Sequence, residues 1–377
     1  MSDSVLRSVG RSHGIKRGLR GRWSYVLIAA LCGVGILTTA SGVASAGTRP
    51  STAKVAATAG ANIKACFMVS NLGVDDHGFN EEGWNALRQA HVAYGMKIEY
   101  LAESGSVTWT TIGSEFISEG CNLIVGEGFD TATEIQTLAQ AYPNDKFALI
   151  DDTLPKTMKN VAELYYHTDQ GAFLGGYVAA AMAKSGIVGM FGNEPIPPVL
   201  LYLNGFYAGV KYYDKLNNAK VKTIGYNPVT HSGEFMGSFT STTINTQITN
   251  SELAQGADII YGVGLPNSVA EAVLHYGHKT ASIGVDSDGC FSYPALCPAF
   301  LTSVEKNITP SLLDVITSDV KGHFDSGIYN GTLRNGGVGI ATYHTWGTKV
   351  PSAVKKEVLK LTKEVIAGSI KYDPYKA

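Results

Sequence analysis

The chain has 377 residues, 45% hydrophobic and 16% charged, which is enough to bury a sizeable core in two lobes and excludes a largely disordered polymer. Its formal net charge is -2. Residues 1–46 hold six basic residues against one acid, leaving -7 on the remainder, so the basic face that a nucleic-acid binder needs is excluded.

In chain order, Arg7, Arg11, Lys16, Arg17, Arg20 and Arg22 precede the apolar run Tyr25–Leu37. That run is short of the roughly 20 residues a spanning helix needs, and Ala44 and Ala46 set a small-residue cut before Gly47. An export signal over 1–46 is therefore predicted. The alternative is an uncleaved anchor that extends through Thr38–Ala46. Cys32 follows Leu31 instead of a small residue, so a lipid-attachment signature is incomplete. Residues 47–61 are small, polar and aperiodic, as in a flexible tether.

From Asn62 onward, short apolar runs alternate with amphipathic stretches. Ten runs read as strands: "IKACFMVS", "MKIEYLA", "CNLIVGEG", "KFALIDD", "VAELYYH", "GIVGMFG", "VKTIGYN", "ADIIYGV", "TASIGVDSDG" and "FLTSVEK". Helical spacing separates them: Trp84, Leu87 and His91 share one face, and Ile135 and Leu138 share another before Pro143. This rhythm predicts an α/β protein with two doubly wound parallel sheets. Ligands of such sheets sit at the carboxyl ends of strands, here "SNLGVDDHGFN", "GEGFDT", "DDT", "GNEPIPP", "GLPNS" and "DSDG".

Those ends supply the candidate residues. Phe79 offers a flat face on which a base can stack, and Asp76 and Asn80 flank it with acceptor and amide groups. The local alternative makes Phe79 a helix staple and Asp76 its cap. Gly128 and Phe129, Gly264 and Asn267, and Asp286 stand at three other strand ends, where close backbone approach and hydroxyl recognition are served. The chain carries no GxxxxGK[ST] phosphate loop, HExxH, CxxC or GxSxG motif. His275 and His278 share a helical stretch but have no third ligand at suitable spacing, so a solvated face is favoured over a metal site. Of Cys66, Cys121, Cys290 and Cys297, the pair closing "CFSYPALC", Cys290 with Cys297, is the easiest bridge to form outside the cytoplasm; free buried thiols are the alternative.

The segment "GVDDHGFNEEGWNAL" resembles the amino-terminal signature of the basic membrane protein family, the purine nucleoside receptor group of ABC transporter substrate-binding proteins. The likeness continues through "AYPNDKFALIDD", "TDQGAFLGGYVAAAMAKSGIVGMFGNEPIP", "NGFYAGVKYY", "GADIIYGVG", "IGVDSDG" and "LTSVEKNI", from Ile63 to about Tyr343. The resemblance implies a type I periplasmic binding protein fold with three crossings between lobes. It implies one lobe over 62–168, rejoined by about 296–325, a second over 169–295, rejoined by about 326–350, and a C-terminal helix and tail over 351–377. Tyr202 takes the place of a second aromatic over the ligand, and Phe206 follows one turn later, facing either the ligand or the core. Asp286 takes the place of the family's reader of ribose hydroxyls, and Lys306 that of a lysine reaching the ligand or its neighbouring carboxylate. Leu265, Pro266, Asn267 and Ser268 replace a glycine-rich turn, which narrows the space beside the ribose.

The expected function is capture of a small polar ligand, a nucleoside first, by an exported binding protein that delivers it to an ABC permease. No enzyme activity, cofactor, metal or nucleic-acid partner is expected. A sensor for a sugar-like ligand keeps the same fold. A secreted nucleoside hydrolase using Asp75 and Asp76 is a third reading.

Overall fold

In β1 (Lys64–Val69) five consecutive residues are buried, the mark of a parallel strand covered on both faces. The computed structural model describes residues 60–374 except 278; the expected signal, Cys32, His278 and most of the tether lie outside the described residues. All ten apolar runs form strands. The first sheet has the order β13–β5–β4–β3–β1–β2 and is parallel throughout. Its other strands are β2 (Lys97–Ala102), β3 (Leu123–Glu127), β4 (Lys146–Ile150), β5 (Val161–Tyr166) and β13 (Gly327–Gly331). Alternate residues of β1 face opposite ways, as the two-residue strand period requires. Ala65, Phe67 and Val69 pack with α1 (Phe79–Tyr94) and α9 (Ile308–Val320). Cys66 and Met68 pack with α2 (Trp109–Ser118) and α3 (Ala132–Ala141).

The second sheet runs β14–β12–β11–β10–β6–β7. Its strands are β6 (Ile187–Gly192), β7 (Lys222–Ile224), β10 (Ile259–Val263), β11 (Ala281–Asp286), β12 (Phe300–Lys306) and β14 (Val338–Ile340), the last antiparallel to its neighbour. One face is covered by α4 (Thr168–Met182), α5 (Pro197–Asn217) and α10 (Ser352–Ile366), the other by α6 (Thr242–Ala254) and α7 (Pro266–Tyr276). A hairpin of β8 (Tyr226–Asn227) and β9 (Ser232–Gly233) and the short α8 (Gly289–Ser292) complete the chain. The helix α4 is buried nearly all round because α5 packs backbone to backbone against it: a Cβ on Gly176 would stand 2.0 Å from the Phe206 carbonyl oxygen.

The chain leaves the first sheet after Tyr166, returns after Lys306 for α9 and β13, and leaves again after Gly331. The expected crossings at about 296 and 326 are corrected to these positions. Residues 300–306 pair with β11 because they are apolar enough to sit inside the second sheet, whereas half-exposed "GIYNG" forms the first sheet's edge. The crossing segments hold one another: the His167 N–H donates to Gly331 O at 2.8 Å and the Asn307 N–H to Gly337 O at 3.0 Å. Disulfides join Cys66 to Cys121 and Cys290 to Cys297. Among the described residues no helix is long and apolar enough to cross a membrane.

Candidate functional site

The carboxyl ends of both sheets border one cavity of about 390 Å³. From the first lobe it is reached by the Ser70–Gly78 loop. Asp76 accepts the N–H groups of Gly78, Asn80 and Glu81 at 3.0, 2.9 and 2.9 Å, so its carboxylate caps α1. Burial nevertheless holds that carboxyl above its usual range, against the pull of the three N–H groups. Asn80 is almost fully buried, and its amide donates to Ser70 Oγ at 2.9 Å and Gly73 O at 2.8 Å. Both residues line the cavity, and these hydrogen bonds also shape the loop that carries them. That loop presents Phe79. Gly128, at φ 90°, borders the ring, and a Cβ there would lie 3.5 Å from Phe79 Cε1. Phe129 stands beside it, 41% exposed.

The second lobe answers with charge. Lys306, at the end of β12, is buried and reaches across the lobes to Asp151 Oδ2 at 2.6 Å, and within its own lobe to Asp286 Oδ1 at 3.2 Å. Its ammonium lies 4.6 Å from the Phe79 ring centre and 5.1 Å from that of Tyr202, within cation–π range. Burial works against the charged lysine, but the two carboxylates outweigh it and raise its pKa. Burial pushes the Asp151 carboxyl up to about 6, against the pull of Lys306. Asp151 and Asp286 occupy matching places in the two lobes. Asp151 follows β4 and Asp286 ends β11, the corresponding strands of the two sheets, and each takes a left-handed φ of 65°. Tyr202 O–H donates to Asp286 Oδ1 at 2.8 Å, so this tyrosine lines the cavity with its hydroxyl already engaged.

Phe206 is corrected to a core residue. It is fully buried and stacks on Tyr261 with ring centres 4.2 Å apart, because the inward face of α5 passes from the cleft into the sheet. Gly264 and Asn267 line the cavity together with Leu265 and Pro266, where α7 begins. His275 is exposed in the last turn of that helix.

Three cavity residues carry little local signal. Glu127 ends an apolar strand, Phe239 lies in an aperiodic loop, and Tyr293 sits inside the Cys290–Cys297 turn. Tyr293 O–H donates across the cleft to Asp76 O at 3.0 Å, and Ser287 Oγ donates to His77 O at 3.1 Å. The arrangement suits retention of a polar ring compound: aromatic faces, a buried ammonium and carboxylates from both lobes meet at one point. It suits paired-acid hydrolysis by Asp75 and Asp76 poorly, since the second of these is consumed as a cap.

Comparison with known proteins agrees with this architecture. The chain is 26% identical over 326 residues to an uncharacterized lipoprotein of Pyrococcus furiosus, covering 81% of this chain and 79% of that protein. It is 24% identical over 328 residues to the ABC transporter nucleoside-binding protein BmpA of Lactococcus lactis, covering 82% and 88%. An ABC transporter solute-binding protein from Aeropyrum pernix superposes with a TM-score of 0.74 at 22% identity, over 83% of this chain and 93% of the other, which shows the shared two-lobed binding-protein fold. Residues 63–372 match the Bmp family, described as ABC transporter substrate-binding protein, PnrA-like, and the chain belongs to that family.

Proposed function

We propose that the protein captures a nucleoside between its lobes outside the cytoplasm and presents it to the permease of an ABC importer. The observation that carries this reading is the meeting of Phe79 with Asp286 and Lys306 in one cavity: a stacking face beside a carboxylate able to accept ribose hydroxyls. The name of the Lactococcus relative supports the ligand class, and the lipoprotein name of the Pyrococcus relative supports an extracytoplasmic location. Binding, and not turnover, is the proposed activity. The lobes would close about the crossings, with ligand contacts in both lobes favouring the closed state.

Thermal unfolding with a panel of nucleosides and free sugars tests the reading. A ligand that binds only the folded state raises the unfolding temperature by mass action. Stabilisation by one or more nucleosides, confirmed by calorimetry with no product formed on prolonged incubation, is the expected result. Stabilisation by a sugar alone would replace the ligand class, and release of free base would replace binding by hydrolysis.

A further inference from the structure

Glu127, the last residue of β3, is 3% exposed and lines the cavity, yet neither carboxyl oxygen has a hydrogen-bond partner. The neighbouring acids are engaged: Asp76 by three N–H groups, Asp151 by Lys306, and Asp286 by Tyr202 and Lys306. A buried carboxyl with no partner costs free energy. The fold accepts a second cost to seat it. Gly83 lies inside α1, where glycine is about 1 kcal/mol worse than alanine. A Cβ at Gly83 would stand 2.9 and 3.0 Å from the two Glu127 oxygens and 2.7 Å from Phe67 Cζ. Nothing within the described fold uses the group these two costs maintain.

We propose that Glu127 is a specificity-determining residue of the cleft, pairing its carboxyl with an N–H-bearing edge of the ligand's heterocycle. This rests on the nucleoside reading above. Gly128, the next residue, borders Phe79, so Glu127 belongs to the same wall as the stacking face. Burial pushes its carboxyl pKa well above the usual carboxylate range, which favours the protonated form; Asp76, Asp151 and Asp286 add to this and Lys306 opposes it. A protonated carboxyl sets one O–H donor beside one C=O acceptor. Its complement is an edge with one N–H beside one acceptor: the amino group and ring nitrogen of an aminopurine, or the ring N–H and carbonyl of an oxopurine. Purine riboside has the same sugar and rings but offers acceptors only.

Calorimetry on the full chain with adenosine, inosine and purine riboside, for the wild type, Glu127→Leu and the isosteric Glu127→Gln, tests the assignment. The wild type is expected to bind adenosine or inosine about tenfold or more tighter than purine riboside, the value of one well-made hydrogen bond to a buried group. Glu127→Leu should bring that ratio close to one, while Glu127→Gln, which keeps one donor and one acceptor in the same shape, retains most of it. The unliganded unfolding temperature of Glu127→Leu should equal or exceed that of the wild type, because an unpartnered carboxyl has been removed, and that of Glu127→Gln, which leaves a donor and an acceptor as unpartnered as before, should match the wild type. Equal losses for all three ligands, an unaltered ratio in Glu127→Leu, or lower unliganded stability in both variants would overturn the assignment and leave the nucleoside reading standing. Failure of the wild type to bind any of the three would overturn both.

Discussion

Asp286 and Asp151 hold the charge at the centre of the cleft. Tyr202 and Lys306 both reach Asp286 at Oδ1, so in the proposed complex Oδ2 is the oxygen that would meet a ligand hydroxyl. Asp286→Asn should weaken a ribonucleoside by about 1.5–3 kcal/mol, the worth of hydrogen bonds to a charged group. A 2′-deoxyribonucleoside lacks one hydroxyl and should lose less, and calorimetry on the four combinations isolates the pairwise part. Equal losses would return Asp286 to shaping its turn. Asp151 governs a pH dependence. Its carboxyl is pushed up to about 6 in the folded protein against 3.8 for the free group, so the folded state binds the extra proton in that window. Stability from this group is therefore greatest below about 4 and declines as pH rises to about 6, by about 3 kcal/mol at most. Chemical denaturation of the wild type and Asp151→Asn at pH 4 and pH 7 should show the wild type losing ground to the variant over that interval. A constant difference would place the Asp151 proton elsewhere.

The two disulfides brace different elements and should differ in worth. Cys66–Cys121 joins β1 to the turn before β3 and spans 55 positions, whereas Cys290–Cys297 spans 7. By loop-closure entropy the long loop is worth about 4 kcal/mol and the short one about 2. Replacing Cys66 and Cys121 together by alanine should therefore lower the denaturation midpoint more than replacing Cys290 and Cys297 together. The reverse order would show that the short bridge holds native packing of its own. That short turn carries Tyr293 into the cleft, so its bridge serves position more than global stability.

Between the lobes, few direct bonds oppose opening: Tyr293 to Asp76 O, Ser287 to His77 O and Lys306 to Asp151. With the lobes closed on a ligand as proposed, each would retard its release. Tyr293→Phe deletes one such bond, worth about 1 kcal/mol, and should raise the apparent Kd several-fold, mainly through koff. Stopped-flow binding checks this. A change confined to kon would place Tyr293 on the entry path instead of the closure.

Eight of the ten predicted strands lie inside a sheet and were legible because burial on both faces of a parallel strand leaves a continuous apolar run, a local signal, while the edge strands β2 and β7 were legible from partly exposed apolar runs. Phe79, Gly128 and Asp286 were legible as strand-end residues, where a doubly wound sheet opens its cleft, whereas Lys306 was reached only through the family resemblance; all four line the cavity. The other edge strands, β13 and β14, were not legible, because their half-exposed sequences lack such a run. The crossing points after Lys306 and Gly331 follow from which sheet each strand pairs with, a choice between distant partners. The same holds for side chains. Whether Phe206 faces ligand or core, whether Asp76 is free or spent on a cap, and whether Glu127 has a partner all depend on groups brought together by folding. Residue type and spacing fix what a side chain can do. Hydrogen bonding saturates, so its neighbours in space fix what it has left to offer.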